Sequence, residues 1–345
     1  MSGGTSPTPE PAVWPDLAEL LASARVVSLP MRVRFRGVDR REVMLVHGPA
    51  GWGEFGAFLE YEPTEAARWL AAAVEAAWQG WAAPVRERVP VNATVPAVAA
   101  ADVAGVLARY DGCGTVKVKV AEGGQSLADD LDRVAAVRET AGPDVRVRVD
   151  ANGGWDVEQA CDALGRLAGY GLEYAEQPCP DVADLRELRI ALARRGVDVP
   201  VAADESIRKA EDPLRVAREE AADLVVVKVA PLGGVRRALR VVEACGLPAV
   251  VSSALDSSVG IRAGVALAAA LPELPYACGL GTVRLMAEDV AEPSLVPVAG
   301  AIHLGEVGVD EERLERLAAS PERVAWWHER VRACWDAARA LHTTA

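Results

Sequence analysis

Four charged residues in the middle of the chain each follow a short, mostly apolar run: Asp150, Glu176, Asp204 and Lys228. They stand 26, 28 and 24 residues apart, which is about the length of one strand and one helix. In a parallel (β/α) barrel, the carboxyl ends of successive strands converge on one mouth, where active sites form. Carboxylates without a His or Cys among them are oxygen ligands suited to Mg²⁺ or Mn²⁺. The spacing therefore predicts a divalent-cation site held by Asp150, Glu176 and Asp204.

Each carboxylate also has a simpler interpretation, because an acidic residue after a strand often caps the next helix. That explanation fits any one of the three acids taken alone. It fits three in a row less well, since the acids end successive strands and are closely followed by Asn152, Pro178 and Ser206. The repeated pattern favours the cation site.

Two lysines occupy the strand before the first acid, in the run 115–120. Strand alternation puts Lys117 and Lys119 on one face and the valines on the other. If that face lines a barrel, repulsion between the ammonium groups and their burial should both lower a lysine pKa and create a neutral base. A solvated edge strand would also explain the pair, but a parallel barrel has no edge. Lys228 should then lie across the site from Lys119.

The composition limits the class of function. With 345 residues, 51% of them apolar, the chain can bury a barrel of about 250 residues and a smaller domain. A net charge of −13 argues against nucleic acid or an anionic membrane as a partner, since positive charge binds both. No apolar run approaches the ~20 residues of a membrane-spanning helix. Residues 1–15 lack signal-peptide features and the six cysteines lack C-x-x-C spacing, so we expect a cytoplasmic protein.

Three regions differ in their pattern. Residues 1–23 are expected to form a loose tail. Residues 24–88 predict strands, a glycine-rich turn at 51–55 and an Ala-rich helix, and are expected to form an α+β capping domain with residues 283–345. Residues 89–282 repeat strand and helix at steps of about 25 residues, as a barrel does. The predicted barrel strands are 89–93, 115–120, 145–150, 172–176, 199–204, 224–229 and 249–253. The predicted helices between them include 126–140, 156–168, 181–195, 213–220, 234–244 and 258–271.

Five motifs resemble, in this order, the signature set of the muconate-lactonising branch of the enolase superfamily. They are KVK at 117–119, DANGGW at 150–155, EQP at 176–178, DES at 204–206 and KVAPLGG at 228–234. The resemblance extends over most of the chain, and GWGE at 51–54 is similar to the turn in that branch's capping domain. It implies a (β/α)7β-type TIM barrel, an α+β capping domain, and Mg²⁺ held by Asp150, Glu176 and Asp204, with Mn²⁺ as an alternative.

Within that branch, residues 251–260 and 279–282 look like a group of dehydratases of menaquinone biosynthesis. These enzymes form o-succinylbenzoate from 2-succinyl-6-hydroxy-2,4-cyclohexadiene-1-carboxylate. The resemblance implies that Lys119 removes the proton α to the substrate carboxylate and then assists loss of the hydroxyl from the same face. Lys117 would hold down the pKa of Lys119, and Lys228 would stabilise the anionic intermediate from the other face. The same resemblance gives four candidate substrate contacts: Ser252, Ser253, Gly279 and Arg148.

Other functions fit the same residues. Lysines on both faces of an α-carbon could instead racemise an N-succinyl or other N-acyl amino acid, alone or as a second activity. Only the resemblance at 251–260 and 279–282 favours dehydration. A dipeptide epimerase is disfavoured, because residues 279–282 carry no acid to bind the ammonium of a dipeptide. A binding protein without chemistry would need a gap in the site, and no metal or lysine position is missing. The expected partner is a small-molecule carboxylate, and monomer and homo-oligomer both stay open.

Overall fold

The computed structural model of the chain describes residues 14–35, 37–208 and 212–343. Residues 1–13 of the predicted tail lie outside the described residues. The rest of the tail differs from the expectation, because helix α1 (Leu17–Ser23) forms there and Leu20 is fully buried. The rings of Trp14 and Trp335 lie 5.5 Å apart. Apolar burial thus holds this segment against the rest of the chain.

Three antiparallel strands follow: β1 (Arg25–Phe35), β2 (Val38–Gly48) and β3 (Gly51–Phe55). The predicted turn at 51–55 is therefore wrong, since the chain turns at 48–51 and the glycines belong to a strand. Gly53 is required there because a Cβ would stand 2.1 Å from the carbonyl oxygen of Ala73. Helix α2 (Pro63–Val74), continued by a π-helical turn at Glu75–Gln79, packs against this sheet. We call β1 to β3 and residues 63–79 the N-terminal unit.

The middle of the chain forms a parallel sheet of seven strands in sequential order. The strands of this region are β4 (Arg88–Pro90), β5 (Ala93–Val95), β6 (Thr115–Lys119), β7 (Arg146–Asp150), β8 (Leu172–Glu176), β9 (Val201–Ala203), β10 (Leu224–Val227) and β11 (Ala249–Val251). The sheet consists of β5 to β11, and β4 lies outside it. The predicted single strand at 89–93 is wrong, because its two parts pair with different partners: β4 pairs antiparallel with residues 301–303, and β5 pairs parallel with β6.

Helices connect the strands, and local sequence signals set their ends. They are α3 (Val103–Leu107), α4 (Leu127–Ala141), α5 (Val157–Leu167), α6 (Val182–Arg195), α7 (Glu205–Arg208), α8 (Arg215–Arg218), α9 (Val229–Leu232), α10 (Val235–Cys245) and α11 (Ser258–Ala270). Capping boxes at Ser126 and Asp156 begin α4 and α5. The helix predicted at 213–220 is shorter than expected, since only α8 forms there.

A short segment at Cys278 and Gly279 connects the two edges of the sheet. Cys278 bridges to Val91 beside β5, and Gly279 bridges to Ser252 at the end of β11. Backbone hydrogen bonds accompany both bridges. The sheet is therefore curled, with the larger apolar cluster between its strands and the surrounding helices and a small one inside the curl, formed by Tyr174, Ala202, Leu224, Val226 and Val250.

The last elements of the chain return to the N-terminal unit. After a 3-10 turn at Thr282–Leu285 they are β12 (Ala301–His303), α12 (Glu311–Arg316) and α13 (Pro321–Thr343). Strand β12 pairs with β4, and α13 packs along α2. Trp327 of α13 is fully buried against Phe55, with ring centroids 5.3 Å apart. No helix in the described part of the chain is both long and apolar enough to cross a membrane.

Two carboxylates attach the N-terminal unit to the helices that follow β10 and β11. Glu75 accepts hydrogen bonds from backbone N–H groups at the start of α10. Glu54 accepts them from backbone N–H groups at the start of α11. The first N–H groups of a helix have no partner within the helix, and these carboxyl oxygens accept from them. These contacts hold the N-terminal unit beside the carboxyl ends of the strands.

Candidate active site

The charged residues found by their spacing lie at the carboxyl ends of neighbouring strands. Lys119, Asp150 and Glu176 end β6, β7 and β8, and strand pairing sets Asp150 between the other two. Asp204 directly follows β9, and Lys228 directly follows β10. Parallel pairing thus brings all five residues to one end of the curled sheet.

Asp150 is the centre of the first group of contacts. Its Oδ2 atom lies 3.0 Å from Lys117 Nζ and 2.6 Å from Lys119 Nζ. Lys117 Nζ also lies 2.8 Å from Glu176 Oε1. The four side chains are at most 10% exposed, so water screens their attraction weakly. The prediction that one face of β6 carries both lysines into the interior is confirmed.

Burial and charge together set the pKa values in this group. Burial opposes the charge of Lys117, but Asp150 and Glu176 outweigh it and hold the pKa of Lys117 well above its usual range. The expected lowering of a lysine pKa is therefore wrong for Lys117, because two carboxylates surround it. Burial, followed by the charge of Asp150, raises the pKa of Glu176 to about 7.

Asp204 is the centre of the second group. Its Oδ2 atom lies 2.5 Å from Lys228 Nζ, and its Oδ1 atom lies 3.4 Å from Arg208 Nε. Burial lowers the pKa of Lys228, as expected for a lysine in the interior. Burial also opposes the charge of Asp204, but Lys228 and Arg208 outweigh it and lower the pKa of Asp204 to about 2.

The three carboxylates do not form a ready-made metal cluster. Among the described residues, no three His, Cys, Asp or Glu side chains are arranged to hold an ion, and Lys117 bridges Asp150 and Glu176 instead. The donor set still fits a hard cation, because it contains only oxygen atoms. Asp204 Oδ1 supports this fit, since this buried atom accepts no hydrogen bond within the described residues. A cation site at the three carboxylates stays a prediction.

A small cavity with a free volume of about 30 Å³ borders Asp150 and the three lysines, but not Glu176 or Asp204. It is lined by Phe35, Thr94, Lys117, Lys119, Asp150, Asn152, Lys228, Ser252, Ser253, Ala254, Leu255, Gly279 and Thr282. A larger cleft of about 360 Å³ adjoins it. Phe35, Lys119 and Asn152 line both spaces, so the cleft gives access to Lys119.

Three of the four candidate substrate contacts line this cavity: Ser252, Ser253 and Gly279. Gly279 packs so closely that a Cβ there would stand 2.5 Å from Ser252 Oγ. Ser253 Oγ donates to the carbonyl oxygen of Gly279 at 2.8 Å and lies 2.8 Å from Thr282 Oγ1. The end of β11 and the segment at 278–279 thus form one wall of the cavity.

Arg148 does not line the cavity, so this geometry does not support its assignment as a substrate contact, which stays a prediction. It lies two residues before Asp150 on the same face of β7, one step closer to the amino end of the strand. Its guanidinium donates to Glu173 and, at 2.7 Å, to the carbonyl oxygen of Ala277. It also lies over the ring of Tyr174, 4.6 Å from the centroid. These partners direct the side chain away from the mouth.

Sequence reasoning missed six residues of the cavity: Phe35, Thr94, Asn152, Ala254, Leu255 and Thr282. Asn152 had a signal, because it follows Asp150 by two residues, and its Oδ1 accepts from Lys119 Nζ at 2.6 Å. Phe35 had none. It ends a strand of the N-terminal unit, and only tertiary packing brings its ring to 5.4 Å from Lys119 Nζ.

Two family models match the chain. The family described as enolase C-terminal domain-like matches residues 99–309. The family described as enolase N-terminal domain-like matches residues 26–77. The first match alone covers more than half of the chain, and it includes every lysine and carboxylate of the site.

Proteins with the name o-succinylbenzoate synthase are similar to this chain along nearly its whole length. That of Mycobacterium leprae is 59% identical over 323 residues, which are 93% of this chain and 94% of the relative. That of Mycobacterium tuberculosis strain H37Rv is 58% identical, over 94% of this chain and 97% of the relative. That of Mycobacterium ulcerans is 57% identical, over 95% and 97%.

Solved structures show the same fold at lower identity. The muconate lactonizing enzyme from Pseudomonas putida has a TM-score of 0.70 and 23% identity, covering 86% of this chain and 98% of that one. The N-succinyl Arg/Lys racemase from Bacillus cereus has a TM-score of 0.71 and 21% identity, covering 86% and 97%. At these identities the likeness shows the fold alone. The family models and the Mycobacterium relatives establish that the chain belongs to the o-succinylbenzoate synthase family of the enolase superfamily.

Proposed function

We propose that this protein is a hydro-lyase that converts 2-succinyl-6-hydroxy-2,4-cyclohexadiene-1-carboxylate to o-succinylbenzoate and water in menaquinone biosynthesis. The observation that carries the proposal is the position of Lys119 Nζ, 2.6 Å from both Asp150 and Asn152. Lys119 borders both the cavity and its access cleft. The Mycobacterium relatives bear the name of this activity.

Lys119 would serve first as a base and then as an acid. In its neutral form it takes the proton α to the substrate carboxylate, and the resulting ammonium group gives a proton to the hydroxyl that leaves from the same face. The substrate thereby loses one hydrogen and one hydroxyl as water, and a ring double bond forms. Because the product ring is aromatic, the step is strongly downhill.

The other two lysines would supply positive charge. Lys117 lies deeper on the same face of β6, where Asp150 and Glu176 hold it. Lys228 lines the cavity from β10, four strands further along the sheet. From there its ammonium group would stabilise the anion that forms when the proton leaves.

Asp150, Glu176 and Asp204 would hold a divalent cation, Mg²⁺ or Mn²⁺, through oxygen atoms alone. When bound, that ion supplies positive charge to the substrate carboxylate, where negative charge builds up as the proton leaves. The chain fixes the three carboxylates at the ends of adjacent strands. Gln177 contributes by accepting a hydrogen bond from the backbone N–H of Asp204 at 2.9 Å.

We further interpret the curled sheet as a (β/α)7β-type barrel whose eighth position is taken by the segment at Cys278 and Gly279. We propose that residues 89–282 are the barrel domain and that residues 24–88 with 283–345 are the capping domain. Two apolar clusters support this division. One is centred on the sheet and its helices, and the other joins the N-terminal unit to α12 and α13.

Racemisation of an N-succinyl or other N-acyl amino acid is the second candidate. Lys119 and Lys228 both line the cavity, from strands four places apart. One lysine could therefore remove a proton that the other returns on the opposite face. We favour dehydration because relatives at 57% to 59% identity bear its name, whereas the racemase structure shares only 21%.

Turnover of the cyclohexadiene substrate with added Mg²⁺ tests the proposal. We expect o-succinylbenzoate to form, activity to disappear with a chelator, and activity to return with Mg²⁺. N-succinyl-phenylglycine in D₂O should be assayed beside it for exchange of the α-proton. Efficient racemisation with poor dehydration would make the protein a racemase, and inactivity with both substrates would reject both functions.

A further inference from the structure

Helix α4 carries a buried ion pair directly behind the strand that ends in Lys119. Arg133 Nη1 lies 2.8 Å from Asp130 Oδ1, and the two side chains are 1% and 2% exposed. The residues that line the cavity include neither of them. Their further partners are backbone atoms of Lys119, Ala121 and Val98 and the side-chain oxygen of Gln125, and such added hydrogen bonds are what a pair so completely removed from water requires.

This ion pair holds the backbone at the end of β6 on two sides. Arg133 Nη1 donates to the carbonyl oxygen of Lys119 at 2.9 Å. Asp130 Oδ2 accepts from the backbone N–H of Ala121 at 2.9 Å. Arg133 Nε also donates to the carbonyl oxygen of Val98, in the loop after β5, at 2.6 Å. One guanidinium therefore ties the end of β6 to the loop of the neighbouring strand.

Ala121 shows that this attachment imposes a particular backbone shape. Its φ is 58°, in the left-handed region that residues with a side chain rarely adopt. The hydrogen bond to Asp130 stabilises this conformation. Ala121 in turn packs against the loop after β7, where a Cβ on Gly154 would stand 2.8 Å from the Ala121 Cβ. That loop carries Asn152, whose Oδ1 accepts a hydrogen bond from Lys119 Nζ.

We propose that Arg133 and Asp130 are positioning residues for Lys119, and we call them the clasp. The inference rests on the proposed function, since that function gives Lys119 the proton transfer. A lysine ammonium group sits on a flexible four-carbon stem, so its placement depends on a fixed backbone at the base of that stem. A displacement of about 1 Å can cost ~10²-fold in rate. The clasp acts through Lys119 and touches no reacting atom.

The same helix offers a matched control. Arg138 also uses its guanidinium to donate to backbone carbonyl groups, those of Gly142, Pro143, Val145 and Tyr170. These partners precede β7 and β8 and lie at the opposite end from the cavity. Replacing either arginine should lower stability, but only Arg133 is connected to Lys119.

The experiment compares Arg133→Lys, Asp130→Asn and Arg138→Lys in the full chain with Mg²⁺. An ammonium group cannot span both carbonyl groups and Asp130, and an Asn amide keeps the shape of Asp130 without its charge. We expect each clasp variant to lower kcat about 10- to 100-fold while KM changes little. Arg138→Lys should keep the wild-type kcat. Equal effects of the two arginine substitutions, or a raised KM with unchanged kcat, would overturn the proposal.

Amide hydrogen exchange over residues 115–125, without substrate, gives a readout that does not depend on turnover. The clasp variants should lose protection at 119–121, and Arg138→Lys should not. If the wild-type protein did not dehydrate the cyclohexadiene, the proposed function would fail, yet the exchange result would still decide whether the clasp fixes Lys119. Unchanged protection in both clasp variants would reject the clasp whatever the activity.

Discussion

The two ends of the curled sheet bury charge in different ways. At the mouth, lysines on flexible stems share the carboxylate of Asp150 beside a cavity. At the opposite end, Arg148 pairs with Glu173 and lies over the rings of Tyr174 and Tyr276. A guanidinium is planar and donates in fixed directions, whereas an ammonium group is a compact charge that rotates freely. The lysines at the mouth are therefore suited to proton transfer, and the arginine at the opposite end is suited to stabilising the fold.

This difference shows which buried charges mark a reactive site. Arg148 is 0% exposed and does not line the cavity at the mouth. Lys119 is almost as buried, but it borders free volume that continues into the access cleft. A ligand can therefore replace contacts of Lys119 without unfolding the sheet. Buried charge is informative about function mainly where it lines a space that a substrate can enter.

Replacing Lys119 should have the largest effect. Lys119→Arg keeps a positive charge near Asp150, but a guanidinium stays protonated and cannot act as a base. We expect kcat to fall by ~10³-fold or more, since acid–base catalysis typically contributes about 10²- to 10⁴-fold. Product formation and α-proton exchange in D₂O should be lost together, while the melting temperature and Mg²⁺ affinity stay close to wild type. Retained turnover would remove Lys119 as the base.

The opposite end of the sheet should respond in stability alone. Arg148→Met removes one partner of a buried ion pair, which typically costs about 3–5 kcal/mol of unfolding free energy. We expect a loss of about 3 kcal/mol, at the lower end of that range. Glu173 would keep one cationic partner, because Arg146 also contacts it at 2.8 Å. Urea unfolding measures this loss. KM, measured well below the melting temperature, should not change, and a raised KM with unchanged stability would return Arg148 to the substrate site.

The prediction of the fold was best in the region where strand–helix units of similar length follow one another. The residues at the ends of β6 to β10 were found because parallel pairing alone aligns those ends. The errors lie where tertiary contacts decide. Residues 51–55 pair with β2 as a strand, in which Gly53 lies against the backbone of Ala73, and Leu20 holds the supposed tail in the core. The local sequence pattern does not predict either of these tertiary contacts.

Prediction of the site was limited in the same way, because contacts between strands decide where its side chains extend. Arg148 and Asp150 lie two residues apart on one face of β7, but strand alternation does not reveal towards which end of the sheet a long side chain extends. The pairing with Glu173 decides that. Similarly, the spacing of Lys117 and Lys119 predicted repulsion between them. It did not show that carboxylates of other strands would contact Lys117 more strongly.

Metal affinity tests whether Asp204 at the mouth differs from an ion-paired acid elsewhere in the chain. Asp204→Asn removes the charge of a proposed ligand, and losing it should cost at least the ~10- to 100-fold in affinity that loss of an outer partner costs. Calorimetric titration with Mg²⁺ measures this. Asp223→Asn is the matched control, because Asp223 pairs with Arg189 outside the mouth. Equal affinity in both variants would remove Asp204 from the metal site.

Glu54 extends the comparison to a buried carboxylate of the N-terminal unit. Burial, followed by the charge of Asp256, raises the pKa of Glu54 to about 8, although Ser257 and Arg41 act in the opposite direction. The folded protein then keeps a proton that the unfolded chain releases above its ordinary pKa of 4.5. Stability from this group is full below that value and is lost as the pH rises through about 8.

Glu54→Gln should therefore make the unfolding free energy decline less steeply as the pH rises. The change in slope corresponds to at most one bound proton, which makes it the smallest effect of the four substitutions. Urea unfolding of both proteins at several values between about pH 5 and 8 measures the slope. Glu60→Gln, an exposed acid of the same segment, should leave the slope unchanged. A wild-type slope in Glu54→Gln would mean that Glu54 is ionised in the folded state. The hydrogen bonds from the start of α11 would then outweigh its burial, and Glu54 would resemble the ionised acids at the mouth.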